Sequence, residues 1–314
     1  MCLAGMTLDS AYHAPVLVKE VAKLLKGAGR ILDGTLGGGG HSLALLEAGA
    51  GAVVGIDRDP EAIAAAKTRL ASYAAEKRFV AFEANYADLT EVTALASAWF
   101  DGILLDLGVS SHQIDADERG FTFRPGIRLD MRMGRDTLRD AAAILNDDDE
   151  ATLAKIFKDY GDEPRGARLA REIVRRRQTR PFESSDDLVG AIRAVLGPRS
   201  GAADFARLFQ SIRIAVNFEL TGLTRALPAL RDRLSGGGTF VVISYHSGED
   251  RIVKNAFREW SAACVCPPKQ PVCTCRGRPL GTTLTRRAIT ASEAEVAANP
   301  RARSARLRAW RSAV

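Results

Sequence analysis

A glycine-rich turn between an apolar run and a helical segment is the feature that most constrains the fold of this chain. The run Arg30–Leu32 precedes the turn Asp33–His41, and helical character begins at Ser42. Glycines let the backbone turn tightly and approach a ligand closely, because no Cβ intervenes. A strand, a glycine turn and a helix in this order indicate a cofactor site of the nucleotide-binding type.

A second acidic residue follows the next apolar run. Ala52–Ile56 is predicted to be a strand that ends at Asp57, where an acid can accept hydrogen bonds from both hydroxyls of a ribose. Asp33 would repel the pyrophosphate that a dinucleotide places on such a turn. S-adenosylmethionine instead presents a cationic sulfonium and an ammonium group. The pattern therefore favours S-adenosylmethionine over a nicotinamide or flavin, and a glycine loop without a ligand is the third possibility.

Apolar runs alternate with helical segments through the first hundred residues. The third and fourth strands are predicted at Phe79–Phe82 and Phe100–Asp106, and helices at 59–70 and 89–98. The first of these helices has the N-cap and first-turn pattern Asp59-Pro60-Glu61. Such alternation is typical of a doubly wound parallel sheet.

The pattern changes after the fourth strand. From about Asp115 to Ser211 helical periodicity prevails, and a strand pattern returns at Thr239–Ser244 after a predicted helix from Ile212 to Leu234. A helical domain inserted into a Rossmann-like α/β domain is the simplest interpretation. We therefore predict that residues 1–114 and 212–314 form the α/β domain, with a basic C-terminal tail, and that residues 115–211 form the insertion.

Composition and charge set limits on partners and location. The chain of 314 residues carries a net charge of +6, which permits a polyanionic partner without requiring one. The N-terminus lacks the basic and apolar segments of a signal peptide, and no apolar run approaches the roughly 20 residues of a membrane helix. These features predict a cytoplasmic protein without a membrane partner, and they leave the oligomeric state open.

Four of the five cysteines lie close together in the sequence. They form two Cys-x-Cys pairs, Cys264 with Cys266 and Cys273 with Cys275. Zinc sites favour Cys-x2-4-Cys spacing, which is wider, and structural disulfides are rare in the cytosol. We therefore expect reduced thiols and no metal, with a metal site as the alternative.

Polar residues follow the predicted strands where ligands of open α/β sheets bind, beyond the carboxyl ends. Tyr86, after the third strand, is a candidate to flank an adenine ring. Asp106, at the end of the fourth, is a candidate to face a transferable methyl group. Each also has an ordinary interpretation, as a half-buried aromatic residue and as a turn-forming acid.

Long motifs spread over nearly the whole chain resemble those of the MraW family, the bacterial 16S ribosomal RNA cytosine-N4 methyltransferases. The motifs are His13–Leu17, Asp33–Ser42, Asp106–Ser111 with Gln113 and Asp115, Arg119–Phe123, Leu129–Met133, Phe209–Asn217, Ile243–Ser247, Glu249–Lys254 and Asn299–Ser304. The resemblance implies a class I methyltransferase sheet with a helical insertion that recognises the substrate. It also implies S-adenosylmethionine as cofactor and, as target, a cytosine in the decoding centre of the small ribosomal subunit.

The resemblance further implies which residues contact the cofactor. They are Gly39, Gly40, His41, Asp57, Tyr86, Asp106 and Gln113, to which the spacing of the turn adds Asp33 and Gly37. The chain departs from the family at Gly201–Arg207, in place of a His-Pro-Ala-Thr-Arg run, at Gly248, in place of a leucine, and at Gly38. These departures bear on RNA contacts more than on the cofactor site.

Two residues are candidates for the chemistry. The lone pair of the cytosine N4 atom is delocalised into the ring, so an acceptor that binds the amino group can align it with the methyl carbon. Asp106 is the candidate acceptor, although it could serve the cofactor instead. His246 could accept the released proton, or it could be a hydrogen-bonded structural histidine.

Two groups of arginines remain. One predicted helix carries Arg165, Arg168, Arg171, Arg175, Arg176, Arg177 and Arg180, and the C-terminus carries Arg301, Arg303, Arg306, Arg308 and Arg311. In isolation a charge run is usually a solvated face. With ribosomal RNA as substrate, phosphate contacts are expected, and Arg171, Arg175 and Arg176 are the candidates.

The leading hypothesis is a methyltransferase acting on the exocyclic N4 amine of a cytosine in 16S ribosomal RNA, with the small ribosomal subunit as the expected partner. A DNA amino-methyltransferase usually carries a Pro-Pro-Tyr motif after the fourth strand, where this chain has Leu107-Gly108-Val109. A non-catalytic assembly factor with a vestigial fold is disfavoured by the intact acids and glycines. A nucleotide-dependent oxidoreductase is disfavoured by Asp33.

Overall fold

A computed structural model describes residues 15–267, 270 and 272–313 of the chain. His13 and Ala14 of the first motif, the N-terminal segment considered for a signal peptide, and Pro268 lie outside the described residues. The chain forms two compact units. One contains the residues up to Gly108 and those from Leu220 onward, and the other contains Val109–Glu219. The domain limits at 114/115 and 211/212 stay predictions.

The first unit is built on a sheet of eight strands. They are β1 (Arg30–Asp33), β2 (Ala52–Asp57), β3 (Phe79–Glu83), β4 (Phe100–Asp106), β5 (Leu234–Ser244), β6 (Gly281–Thr283), β7 (Ile289–Thr290) and β8 (Arg306–Ser312). Their order is β3-β2-β1-β4-β5-β8-β6, with β7 also paired to β8. Strands β1 to β5 are parallel, and β8 runs antiparallel to its neighbours.

Thirteen α-helices lie in the described residues. They are α1 (Val18–Leu24), α2 (Gly40–Glu47), α3 (Pro60–Arg69), α4 (Ala71–Ala75), α5 (Ser111–Asp115), α6 (Ala141–Asp147), α7 (Glu150–Asp159), α8 (Gly166–Arg177), α9 (Ser185–Leu196), α10 (Ala202–Asn217), α11 (Glu219–Arg231), α12 (Ser247–Ser261) and α13 (Glu293–Ala298). In the part of the chain that the structure describes, none is both long and apolar enough to cross a membrane.

Successive residues of the central strands enter two different hydrophobic cores. Ile31 packs with α1, α2 and α3 on one face of the sheet, whereas Leu32 packs with α11 and α12 on the other. Val53 and Val54 divide in the same way. Burial of both faces explains why these strands are continuous apolar runs.

The second unit has a core of its own. Buried residues of α6 to α10, such as Leu153, Ile173 and Leu208, form a separate cluster. Its only strand-like pairing in the described residues is a single bridge between Arg128 and Ser184. Together the two units confirm the predicted fold class, an α/β Rossmann-like class I methyltransferase sheet with a helical insertion.

Three predicted elements differ from the structure. The helix at 89–98 is instead two short 3₁₀ segments, Tyr86–Glu91 and Thr93–Leu95, because Val92 between them is extended. The helix at 212–234 is interrupted at Phe218, whose left-handed backbone ends α10 before α11 begins. The arginine-rich end of the chain, predicted to be a basic tail, is strand β8 inside the sheet.

Candidate cofactor and catalytic site

The turn between β1 and α2 requires glycine at several positions. Gly37 and Gly39 have φ angles of 50° and 77°, in the left-handed region. A Cβ on Gly39 would lie 3.0 Å from Leu70 Cδ1, and one on Gly34 would lie 2.5 Å from Leu105 Cδ2. The Cβ of Tyr86 is also close to Gly34, which places Tyr86 beside the turn. A side chain at Gly39 would combine a left-handed backbone with close contacts, so this position strongly favours glycine.

Asp33 stabilises the turn through hydrogen bonds to its side chain. Its carboxylate accepts hydrogen bonds from the Ser42 hydroxyl, at 2.7 Å, and from the Thr35 backbone N–H, at 3.4 Å. The side chain is buried, and this burial raises the pKa of Asp33 above its usual value. Each oxygen accepts one hydrogen bond from the protein, and a carboxylate at this position suits a cationic ligand.

Asp57, at the end of β2, also supports the turn. Its carboxylate accepts hydrogen bonds from the backbone N–H of Gly37, at 2.8 Å, and of Asp59, at 2.9 Å. Burial raises the pKa of Asp57 to about 6. A carboxylate has about four lone-pair sites, so acceptor capacity remains for the ribose hydroxyls that the sequence assigns to it.

Asp106 is the meeting point of three elements at the carboxyl end of β4. Its backbone N–H donates to Thr35 Oγ1 at 2.6 Å. The Tyr245 hydroxyl, just after β5, donates to its Oδ1 at 2.9 Å. The Nε2 atom of His41, at the start of α2, lies 3.3 Å from its Oδ2. Parallel strands end at the same edge of a sheet, and the neighbouring strands β1, β4 and β5 bring these groups together.

Tyr245 is the site residue that sequence reasoning missed. Burial, followed by the adjacent charge of Asp106, raises the pKa of Tyr245 well above its ordinary value of 10.0. The phenol therefore stays protonated at neutral pH and acts as a donor to Asp106. The signal was available, because Tyr245 lies in the Ile243–Ser247 motif directly after a predicted strand.

His41 carries a buried polar atom that the described protein leaves without a partner. The side chain is 6% exposed, and neither Nδ1 nor Nε2 has a hydrogen bond among the described residues, although Nε2 lies 3.3 Å from Asp106 Oδ2. Burial alone would lower the pKa of His41, but the adjacent carboxylate of Asp106 outweighs it and raises the pKa. An imidazole held in this way can offer a donor to a ligand at the turn.

His246 lies next to Tyr245 but is oriented toward another carboxylate. Its Nε2 lies 3.3 Å from Oε1 of the buried Glu249, whose other oxygen accepts the backbone N–H groups of Tyr245 and His246. His246 is also the N-cap of α12. His246, the predicted proton acceptor, therefore does not contact Asp106 in the described residues. The side chain that hydrogen-bonds to Asp106 is its neighbour Tyr245.

Gln113 belongs to the other compact unit. Its side chain closes a capping box at the start of α5, since Gln113 Oε1 accepts the Ser110 backbone N–H at 3.0 Å. The Ser110 hydroxyl in turn accepts the Gln113 backbone N–H at 3.2 Å. Gln113 is 6% exposed.

The arginines of α8 are paired with acids in the second unit. Arg175 forms two hydrogen bonds to Glu172, Arg176 forms one at 2.7 Å to the same carboxylate, and Arg171 lies 3.3 Å from Glu150. The two arginines lower the pKa of Glu172 to about 2. Arg171 and Arg175 remain largely exposed, so α8 offers cationic groups to solvent.

The C-terminal arginines divide into two sets. Arg301 and Arg303 are exposed on the 3₁₀ segment Pro300–Ser304. Arg308, by contrast, is buried in β8 and binds Asp250 of α12 through two hydrogen bonds of 2.7 and 3.1 Å. Arg308 is therefore part of the core and is not available to a polyanion.

The residues around the turn fit S-adenosylmethionine better than a dinucleotide. Three carboxylates, Asp33, Asp57 and Asp106, surround the turn, and the buried Nδ1 of His41 has no hydrogen-bond partner in the described part of the chain. Such a set suits a ligand with cationic groups and hydroxyls, whereas it would repel a pyrophosphate. Asp57 would hold the ribose, and Asp33 and Asp106 would face the cationic groups.

Comparison with known proteins agrees with this chemistry. The model of the MraW methylase family matches residues 10–313. The chain is 64% identical over 302 residues to "Ribosomal RNA small subunit methyltransferase H" of Gemmatimonas aurantiaca, covering 96% of each chain. It is 48% identical over 306 residues to the protein of that name from Myxococcus xanthus, covering 96% of this chain and 98% of the relative. These matches confirm an S-adenosylmethionine-dependent methyltransferase, and the chain belongs to the MraW methylase family.

Proposed function

We propose that this protein methylates the exocyclic N4 amine of a cytosine in the decoding centre of 16S ribosomal RNA. The observation that carries the proposal is the Asp106 carboxylate, held at the end of β4 between the Tyr245 hydroxyl and the His41 imidazole. The names of its relatives support the small-subunit RNA as substrate.

Asp106 would act on the amino group of the target base. Each of its oxygens keeps a lone pair beyond its contact with Tyr245 or His41, and an amino N–H could donate to it. Such a bond would turn the nitrogen lone pair out of conjugation and toward the methyl group. S-adenosylmethionine supplies that methyl group in electrophilic form. Fixing the acceptor in advance lowers the cost of alignment.

His246 remains the candidate for the proton. Its Nε2 is buried without a hydrogen bond in the described residues, and it lies 3.3 Å from Glu249 Oε1. The carboxylate of Glu249 would orient the His246 ring, which would accept a proton released from the amino group. In this assignment Tyr245 and Glu249 are positioning residues.

Asp57 makes cofactor affinity depend on pH. An ionised carboxylate accepts hydrogen bonds from both ribose hydroxyls, whereas the protonated acid loses an acceptor. Because the pKa of Asp57 lies near 6, affinity should be constant above pH 7 and fall by up to about tenfold per unit below pH 6. Calorimetric titration with S-adenosylhomocysteine between pH 5 and 8 measures this.

A variant isolates the contribution of Asp57. Asp57→Asn should weaken binding at pH 8 by about 1.5–3 kcal/mol, the range for a hydrogen bond to a charged group, and should flatten the pH profile. Glu61→Gln, on the first turn of α3, is a matched control. It should change neither the affinity at pH 8 nor the pH dependence of binding. Wild-type affinity in Asp57→Asn would remove Asp57 from the ribose site.

The exposed arginines of α8 are proposed to contact RNA phosphates. These arginines also form ion pairs with Glu150 and Glu172. Their contribution to RNA affinity is therefore smaller than that of three unpaired cations. Replacing Arg171, Arg175 and Arg176 with Gln should flatten the salt dependence of small-subunit binding by about one unit per lost contact. The control replaces the exposed Lys19, Lys23 and Lys26 near α1 with Gln. Equal slopes in both variants would leave α8 as a solvated face.

Nucleoside analysis tests the proposed function itself. Small subunits and naked 16S RNA from a strain that lacks this activity are incubated with the protein and labelled S-adenosylmethionine, then digested. Label in N4-methylcytidine, recovered from an RNA fragment that contains the decoding centre, is the expected result. Label in another nucleoside would overturn the cytosine-N4 assignment. Binding of the subunit without any transfer would favour the non-catalytic assembly factor.

A further inference from the structure

The segment between α12 and β6 is a long connection without a hydrophobic core. In the described part of residues 262–280 no side chain is buried, and Val272 is 70% exposed. Loops longer than about 12–15 residues without secondary structure are uncommon in compact domains, and those that occur are usually functional or disordered. The four cysteines that form two Cys-x-Cys pairs all lie in this segment.

The structure gathers the four sulfur atoms into one cluster. All four Sγ atoms of Cys264, Cys266, Cys273 and Cys275 lie within 4.8 Å of one another. Cys273 lies 3.8 Å from Cys264, 3.8 Å from Cys266 and 3.5 Å from Cys275, and Cys275 lies 3.7 Å from Cys264. None of these pairs is at the bonding distance of a disulfide, about 2.05 Å.

These separations match a tetrahedral thiolate site. With Zn–S bonds of about 2.3 Å, the sulfur atoms of a tetrahedral Zn(Cys)₄ centre lie about 3.8 Å apart. Four sulfur ligands select zinc or iron, whereas harder ions prefer oxygen. The narrow Cys-x-Cys spacing does not prevent this arrangement, because each pair needs to span only one edge of the tetrahedron.

The surrounding backbone supports charged sulfur atoms. The Val265 N–H donates to Cys275 Sγ at 3.3 Å, and such contacts stabilise thiolates and orient metal ligands. Arg276 anchors the end of the segment to the end of α12, since its guanidinium donates to the carbonyl oxygens of Glu259 and Ala262. The cluster is therefore tied to the folded unit.

We propose that Cys264, Cys266, Cys273 and Cys275 bind one Zn²⁺ ion in a structural site that holds the connection between α12 and β6. All four ligand positions come from the protein, which is typical of structural zinc sites and leaves no open position for catalysis. This inference replaces the expectation of metal-free thiols. It rests on the sulfur geometry and is independent of the RNA substrate.

Metal analysis of the full-length protein tests the site. Protein that is produced in the cytoplasm of a bacterial host and purified without chelators should contain about one zinc ion per chain, as measured by mass spectrometry. A variant with all four cysteines replaced by Ser should contain none. The variant Cys2→Ser, which changes the fifth cysteine, should keep the metal and serves as the control.

Two further measurements keep the proposal testable if the quadruple variant folds poorly. Wild-type protein stripped of metal and given Co²⁺ should develop the absorption of a tetrahedral thiolate complex, and a chelator should speed proteolysis within residues 262–280. Wild-type protein that holds no zinc and takes up no Co²⁺ would overturn the proposal, as would two disulfides among the four cysteines. Iron in place of zinc would overturn the assignment of the ion.

Discussion

Asp106→Asn should slow methyl transfer by about 100-fold or more while the protein still folds and binds its cofactor. The change removes the negative charge and replaces one acceptor oxygen with an NH₂ group, which is a donor. That donor would face either the Tyr245 hydroxyl or the His41 imidazole, which lie against the two oxygens of the native carboxylate. Loss of one preorganised group at the reacting centre typically costs about 2.7–4 kcal/mol. Single-turnover transfer at saturating cofactor and substrate measures the chemical step.

A second carboxylate on the same strand provides the control. Asp101, near the opposite end of β4, accepts the Arg30 backbone N–H at 2.8 Å, and Asp101→Asn should leave the rate unchanged. A lost rate in Asp106→Asn that higher cofactor concentration restores would assign Asp106 to cofactor binding. A wild-type rate at saturating cofactor would exclude Asp106 from the chemical step.

Arg308→Met should destabilise the first unit by about 3–5 kcal/mol, the cost of leaving a buried carboxylate without its partner. Asp250 and Arg308 form two hydrogen bonds in the interior, between α12 and β8, and both side chains are only about one-tenth exposed. The exposed Arg306 lies 3.9 Å from the same carboxylate and should place the effect at the lower end of this range.

Tryptophan fluorescence during urea unfolding measures the free energy of unfolding of the first unit. All three tryptophans of the chain, Trp99, Trp260 and Trp310, lie in the first unit. Arg306→Met, on the same strand, should cost less than about 1 kcal/mol, as exposed ion pairs do. Adding Asp250→Asn to Arg308→Met should recover part of the loss, because the unpaired charge disappears. Equal stabilities of the two single variants would contradict a structural role for the pair.

The sequence by itself determined the α/β class, the strands β1 to β4 and the acids at their carboxyl ends. These features are local. An apolar run that is buried on both faces, a glycine-rich turn and an acid directly after a strand can each be recognised within ten residues. Because parallel strands end at one edge of the sheet, the local pattern was enough to bring Asp33, Asp57 and Asp106 into one predicted site.

Only the tertiary structure decided the contacts between distant segments. Tyr245 reaches Asp106 across 139 positions of sequence, and β8 enters the sheet between β5 and β6, which buries Arg308 of a segment that resembles a basic tail. The four cysteines likewise acquire tetrahedral spacing only when the chain folds back on itself. Sequence spacing limits what neighbours along the chain can reach, whereas the pairing of distant strands and loops depends on packing of the whole core.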